Sequence, residues 1–152
     1  MKIKEKIDQY LGYFLVLIIG LMVINVLWQV FTRFVMGKPS SFTEELARYL
    51  MIWVGLLGAA YVSGKKKHVA IDLLKAKLNE AKKRTLQIVV NSIITLFAIF
   101  VLVVGGFRLV YITYVLEQYS PALQLPLAIV YLVLPLSGIL ISFYKILDLI
   151  QK

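Results

Sequence analysis

Four stretches of this chain carry no formal charge: residues 9–32, 49–64, 85–107 and 118–144. A helix rises 1.5 Å per residue and the hydrocarbon core is about 30 Å thick, so about 20 apolar residues make one crossing. Three of the runs meet that length outright. The second reaches it only if its helix begins before Tyr49, which places Arg48 at the outer margin of a short span. Lipid offers backbone groups no hydrogen-bond partners, so runs of this kind are helices. Of the 152 residues, 61% are hydrophobic, well above a soluble domain. Four crossings with short loops use up this length and leave room for one domain.

Local signals set the boundaries. The basic start through Lys2, Lys4 and Lys6 resembles the head of a signal peptide. The apolar run behind it is too long for one, and Phe31-Thr32-Arg33-Phe34 offers no small-residue cleavage site, so a retained first span is expected. Ser41-Phe42-Thr43-Glu44 fits a capping box opening the second span, with Pro39 as punctuation before it. No breaker follows the third run until Ser120-Pro121, so that helix is expected to pass Arg108 and reach toward Glu117, about 50 Å in all. Such a length requires tilt or projection from the bilayer. Pro126 suits a first helical turn, whereas Pro135 lies inside the fourth span and should kink it or free a carbonyl for a neighbour.

Charge placement gives direction. Lys2, Lys4, Lys6, the loop from Lys65 to Arg84, Lys145 and Lys152 fall on one side of a four-span chain. Only Arg33, Lys38, Arg48 and Arg108 fall on the other. The lysine-rich side should be cytoplasmic. A net charge of +9 would suggest nucleic acid in a soluble protein. Here the topology accounts for it, and no nucleic-acid partner is expected. Tyr10, Tyr13 and Tyr144 suit anchors at the inner interface, and Trp28, Tyr49, Tyr111 and Tyr114 suit the outer one. In the loop, Ile71, Leu74, Leu78 and Ala81 share one helical face while Lys75, Lys82 and Lys83 fall away from it. That pattern predicts an in-plane helix on the cytoplasmic leaflet, with anionic phospholipids met by Lys65, Lys66, Lys67, Lys75, Lys82, Lys83 and Arg84.

The expected fold is therefore all-α and integral to the membrane, a single domain over 1–152. Its spans lie at about 10–32, 43–63, 85–108 extending toward 117, and 126–145. An interfacial amphipathic helix is expected at about 69–83, and both termini are expected in the cytoplasm.

Chemistry-bearing residues are few. There is no cysteine and one histidine, His68, which leaves no thiolate chemistry and argues against a multi-histidine metal or haem site. No catalytic, metal or substrate site is expected, and the chain is not read as an enzyme. Three polar or small-residue patterns remain. Glu44 and Arg48 stand at i, i+4 with Glu45 beside them, either as a surface pair at a helix end or as a polar contact to a partner. Asn25, Gln29 and Arg33 form a stripe along one face of the first span, suited to hydrogen bonding inside the bundle or to a second subunit. Gly55 and Gly58, with Ala59 and Ser63, make a small-residue face that admits another helix closely, by default one of this chain. The uncharged runs contain no acids, and the chain has no internal repeat, so the inverted-repeat design of a self-contained secondary transporter does not fit four spans.

Several stretches together carry a family resemblance. Phe42-x-Glu44-Glu45-Leu46-Ala47-Arg48-Tyr49 leads into Trp53-x-x-Leu56-x-Gly58-Ala59-Ala60-Tyr61. His68-Val69-x-Ile71-Asp72-Leu73-Leu74 follows a basic run. Ser120-Pro121-Ala122-Leu123-Gln124-Leu125-Pro126 precedes Val130-Tyr131 and Leu134-Pro135-Leu136-Ser137-Gly138. In this order they resemble the DctQ-like small membrane subunit of tripartite ATP-independent periplasmic (TRAP) transporters, with Phe42 where the family often has Trp.

The resemblance implies a non-catalytic scaffold in the bacterial or archaeal cytoplasmic membrane. Its partners would be a large elevator-type permease that holds the sodium ions and the substrate, and a periplasmic binding protein that delivers an organic acid such as a C4-dicarboxylate or a sialic acid. Under it, Arg33, Glu44, Glu45, Arg48, Asn25, Gln29, Gly55 and Gly58 are the expected partner interface. The competing reading is a self-sufficient homo-oligomeric channel or exporter. Small exporters of that kind use a glutamate within the first span, which this chain lacks.

Overall fold

The computed structural model describes residues 2–37, 40–65 and 80–150. Most of the expected in-plane helix lies outside the described residues. The described chain is helical: α1 (Lys2–Val35), α2 (Ser41–Gly64), α3 (Glu80–Phe97), a π-helical segment (Ala98–Gly105), α4 (Gly106–Val115), α5 (Leu127–Tyr131) and α6 (Val133–Ile150). Four stretches are long and apolar enough to cross a membrane: Lys4–Val35, Ser41–Gly64, Lys82–Val115 and Leu127–Asp148.

The second span starts differently from the capping-box expectation. The N-cap is Ser40, extended at φ −80° and ψ 112°, and its side chain makes no capping bond. Starting one residue earlier puts Thr43 at the third helical position, where the box needs a Glu or Gln. The Thr43 hydroxyl donates to the Ser40 carbonyl at 2.9 Å, and Glu44 turns instead to Arg48.

The last span is the centre of the bundle. Half of its apolar window is buried, against 17% in each of the other three. Leu11 and Leu15 of α1, Leu57 of α2 and Val133 of α6 form one cluster. Ala60 of α2, Ala98 and Leu102 of the π segment, and Ile141 of α6 form a second. Their order places α6 between α1–α2 on one side and the third span on the other, and glycine permits the closest of these contacts. A Cβ on Gly138 would lie 2.7 Å from Leu102 Cβ and 3.0 Å from the Ala98 carbonyl oxygen. A Cβ on Gly106 would lie 2.9 Å from Pro135 Cδ.

The kink expected from Pro135 appears as a break between α5 and α6 at Leu132. Proline has no N–H for the carbonyl four residues back, so the helix opens just before it. One carbonyl beside the break, that of Val130, accepts the Trp53 indole N–H at 3.1 Å.

Candidate docking site where the first and second spans meet

The end of the bundle where α1 meets α2 and the third span meets the fourth gathers most of the expected interface residues. Asn25, on α1, is buried and donates its amide N–H to the Thr43 carbonyl at 2.7 Å. Lipid gives that amide no alternative partner, so the bond joins α1 to the first turn of α2. Gln29 is half-buried one turn on, and Arg33, one turn further, is exposed. Among the described residues no ion pair joins Arg33 to Glu44 or Glu45. The stripe thus divides, its inner member fastening the chain to itself and its outer member standing free of the bundle.

Glu44 and Arg48 pair at 3.5 Å, with side chains 61% and 65% exposed. A pair this solvated contributes little to folding and leaves both charges open to another molecule.

Glu45 is committed inward. Its Oε1 accepts the Tyr49 hydroxyl at 2.9 Å, and its Oε2 accepts the backbone N–H groups of Ala122 at 2.8 Å and Leu123 at 3.0 Å. These amides belong to the turn after Pro121, in the loop from Leu116 to Pro126. The loop is tightly built: Glu117 and Gln124 adopt φ of 46° and 54°, Ser120 is fully buried, and its N–H donates to the Leu125 carbonyl at 2.9 Å. Two non-glycine residues in the left-handed region need such bonding to hold them there. Glu45 bolts this loop to α2, and the loop's outer surface displays Glu117, Gln118, Tyr119 and Gln124. Proximity to Glu44 marked Glu45 from sequence, but the loop that it holds was not visible there.

Gly55 and Gly58 face away from the chain. A Cβ at either would meet nothing within 4 Å, and Ala59 and Val62 beside them are exposed. The expected small-residue face thus divides among the described residues, with Ser63 buried inside the bundle and Gly55 and Ala59 exposed. The close intrachain contact on α2 is made by Gly64, where a Cβ would lie 2.9 Å from the Tyr144 ring.

Gly64 belongs to the opposite end, where the structure adds what sequence reading missed. Tyr144, expected at the inner interface, is fully buried, and its hydroxyl donates to Asp8 at 2.7 Å. Lys65 approaches the other Asp8 oxygen at 3.7 Å and lies over the Tyr61 ring. Lys145 and Asp148 are buried as well. The uncharged runs do exclude acids, but Asp8 sits one residue before the first run and Asp148 just after the last. Of the expected headgroup residues, Lys82 and Arg84 are exposed and Lys83 is half-buried, whereas Lys66, Lys67 and Lys75 lie outside the described residues.

Residues 22–152 match the model for the DctQ component of tripartite ATP-independent periplasmic transporters. The chain belongs to this family. A Haemophilus influenzae protein named as a candidate TRAP transporter small permease is 28% identical over 145 residues, covering 95% of this chain and 88% of its own length. The ectoine TRAP transporter small permease protein TeaB of Halomonas elongata is 31% identical over 127 residues, 80% of this chain and 62% of TeaB. The sialic acid TRAP transporter permease protein SiaT of Haemophilus influenzae is 32% identical over 102 residues, 64% of this chain but 16% of SiaT. The DctQ component is a transporter subunit and not an enzyme, and this member is a multi-pass protein of the inner membrane.

Proposed function

We propose that this small TRAP permease subunit is the fixed scaffold against which a large, sodium-coupled permease subunit moves its substrate, and that its outer end helps seat a periplasmic binding protein. The open face of Gly55 and Gly58 carries the reading. Two glycines three positions apart, each with room for an added Cβ, admit another helix at close range, and none of the described residues fills that space. The similarity to 16% of SiaT supports it, since a segment like this one stands within a much longer permease protein there. Sodium and substrate belong to the large subunit in this scheme, and the substrate class is an organic acid. The lysine distribution supports an amino and carboxyl terminus in the cytoplasm.

Arg33, Glu44 and Arg48 form the charged outer rim in this scheme, Asn25 and Gln29 brace it, and Glu45 holds the loop beside it. The test is co-purification of the tagged chain with a co-expressed large TRAP permease subunit, together with sodium-dependent uptake in cells holding all three components. Gly58→Leu should lose the large subunit while the isolated chain keeps its thermal stability. Undiminished assembly and uptake in that variant would overturn the proposal.

A further inference from the structure

We infer that the groove between α1 and α2, at the end where Asp8 meets Lys65, is a binding site for one aminophospholipid of the phosphatidylethanolamine type. The inference does not depend on the docking proposal, because it concerns a different end of the bundle.

The groove has a volume of about 670 Å³ and is open to the surroundings along α1. Its two ends differ in chemistry. At one end stand Glu5, Asp8 and Gln9 of α1 with Lys65 of α2. Beyond Gly12 the lining becomes Leu15, Val16 and Ile19. Gly12 to Ile19 covers about 10 Å of helix, within the roughly 15 Å of hydrocarbon in one leaflet. A polar head followed by an apolar strip at the edge of a membrane span is the shape of a single lipid. The Tyr61 ring walls the groove, and Gly12 keeps its floor low: a Cβ there would lie 3.5 Å from that ring, and a larger side chain would fill the space.

Charge decides which lipid. An anionic head would face the Glu5 carboxylate, and a purely cationic amphiphile would face Lys65. A head carrying both signs satisfies both. Asp8 is already engaged with Tyr144 and Lys65. Glu5 is exposed and takes the ammonium, and the Lys65 side chain, 43% exposed, takes the phosphate. A primary ammonium offers three N–H donors to a carboxylate, which a trimethylated head lacks. This selectivity separates the groove from the lysine-rich loop, whose attraction to anionic lipid is general.

The test uses the full-length chain in nanodiscs of equal phosphatidylethanolamine and phosphatidylglycerol, released into detergent and weighed by native mass spectrometry. The unsubstituted chain should retain phosphatidylethanolamine over phosphatidylglycerol. Glu5→Gln should lower that ratio about threefold, the scale of a partly solvated ion pair. Gly12→Leu should remove the retained lipid. Glu5 is exposed, and among the described residues no ion pair joins it to another helix, so its variant reads the groove even where Gly12→Leu fails to fold. Equal or greater retention of phosphatidylglycerol by the unsubstituted chain would overturn the inference. So would an unchanged ratio in Glu5→Gln, or loss of the lipid from the complex with the large permease because a helix of that subunit fills the groove.

Discussion

Tyr144 donates its hydroxyl to Asp8 at 2.7 Å, and this bond joins residues 136 positions apart. It closes the bundle by tying the first helix to the last. Both partners are buried, so removing the donor leaves a carboxylate oxygen without its bond in a poor solvent. Tyr144→Phe should destabilise the chain by about 1–3 kcal/mol. Thermal unfolding in detergent, followed by circular dichroism, checks this, and a melting curve matching the unsubstituted chain would show that the bond is not needed. Gly64→Ala should act in the same direction, because its methyl group would press on the Tyr144 ring at 2.9 Å.

The four spans were legible because charge is excluded from hydrocarbon, and that exclusion is written residue by residue. The contacts at the two ends were not. Asp8 lies just outside the uncharged run, so sequence reading left it without a role. Glu45 reaches amides 77 and 78 positions away, and no periodicity encodes that approach. The start of α2 was misread because Ser40 and Ser41 both suit an N-cap, and only the backbone shows that Ser40 takes the position. The outward aim of Gly55 and Gly58 depends on which face of α2 meets α6, a fact of packing and not of composition.

Glu45 should prove to be a positioning residue for the loop from Leu116 to Pro126. In Glu45→Ala the N–H groups of Ala122 and Leu123 lose their shared acceptor, and Tyr49 loses its own. Hydrogen–deuterium exchange across 116–126 should accelerate in that variant while exchange in α6 stays unchanged. Glu45→Gln, which keeps one acceptor oxygen, should fall between the two. Uniform acceleration through the whole chain would mean that Glu45 supports the bundle and not the loop alone.

Trp53 gives a smaller, separable effect. Its indole N–H serves the Val130 carbonyl at the break before Pro135. Trp53→Phe keeps much of the ring packing and removes the donor. A hydrogen bond within a membrane bundle is worth about 0.6 kcal/mol on average, so a loss near that size is expected in reversible unfolding. Pro135→Ala restores an N–H for the Tyr131 carbonyl and not for that of Val130, so the two substitutions have different acceptors and their effects should add.

The glycines divide into those that pack within the chain and those that do not, and one pair of substitutions separates them. At Gly138 an added methyl would meet Leu102 Cβ at 2.7 Å, Val103 Cγ2 at 2.9 Å and the Ala98 carbonyl oxygen at 3.0 Å. Two of these belong to the backbone or its first side-chain atom, so relief requires α6 and the π segment to move apart. Overpacking of this kind costs about 1–3 kcal/mol. At Gly58 an added methyl meets nothing within 4 Å, and alanine is the better helix former. Gly138→Ala should therefore lower the melting temperature of the isolated chain, and Gly58→Ala should leave it unchanged or raise it. In the complex with the large permease the ranking should change, because Gly58 then has a neighbour to accommodate. Gly58→Ala should weaken assembly measurably and Gly58→Leu should abolish it, whereas Gly138→Ala should affect assembly only as far as it unfolds the chain. If Gly58→Ala lowers the stability of the isolated chain as much as Gly138→Ala does, α2 presents its small face to a helix of this chain and the docking surface must lie elsewhere.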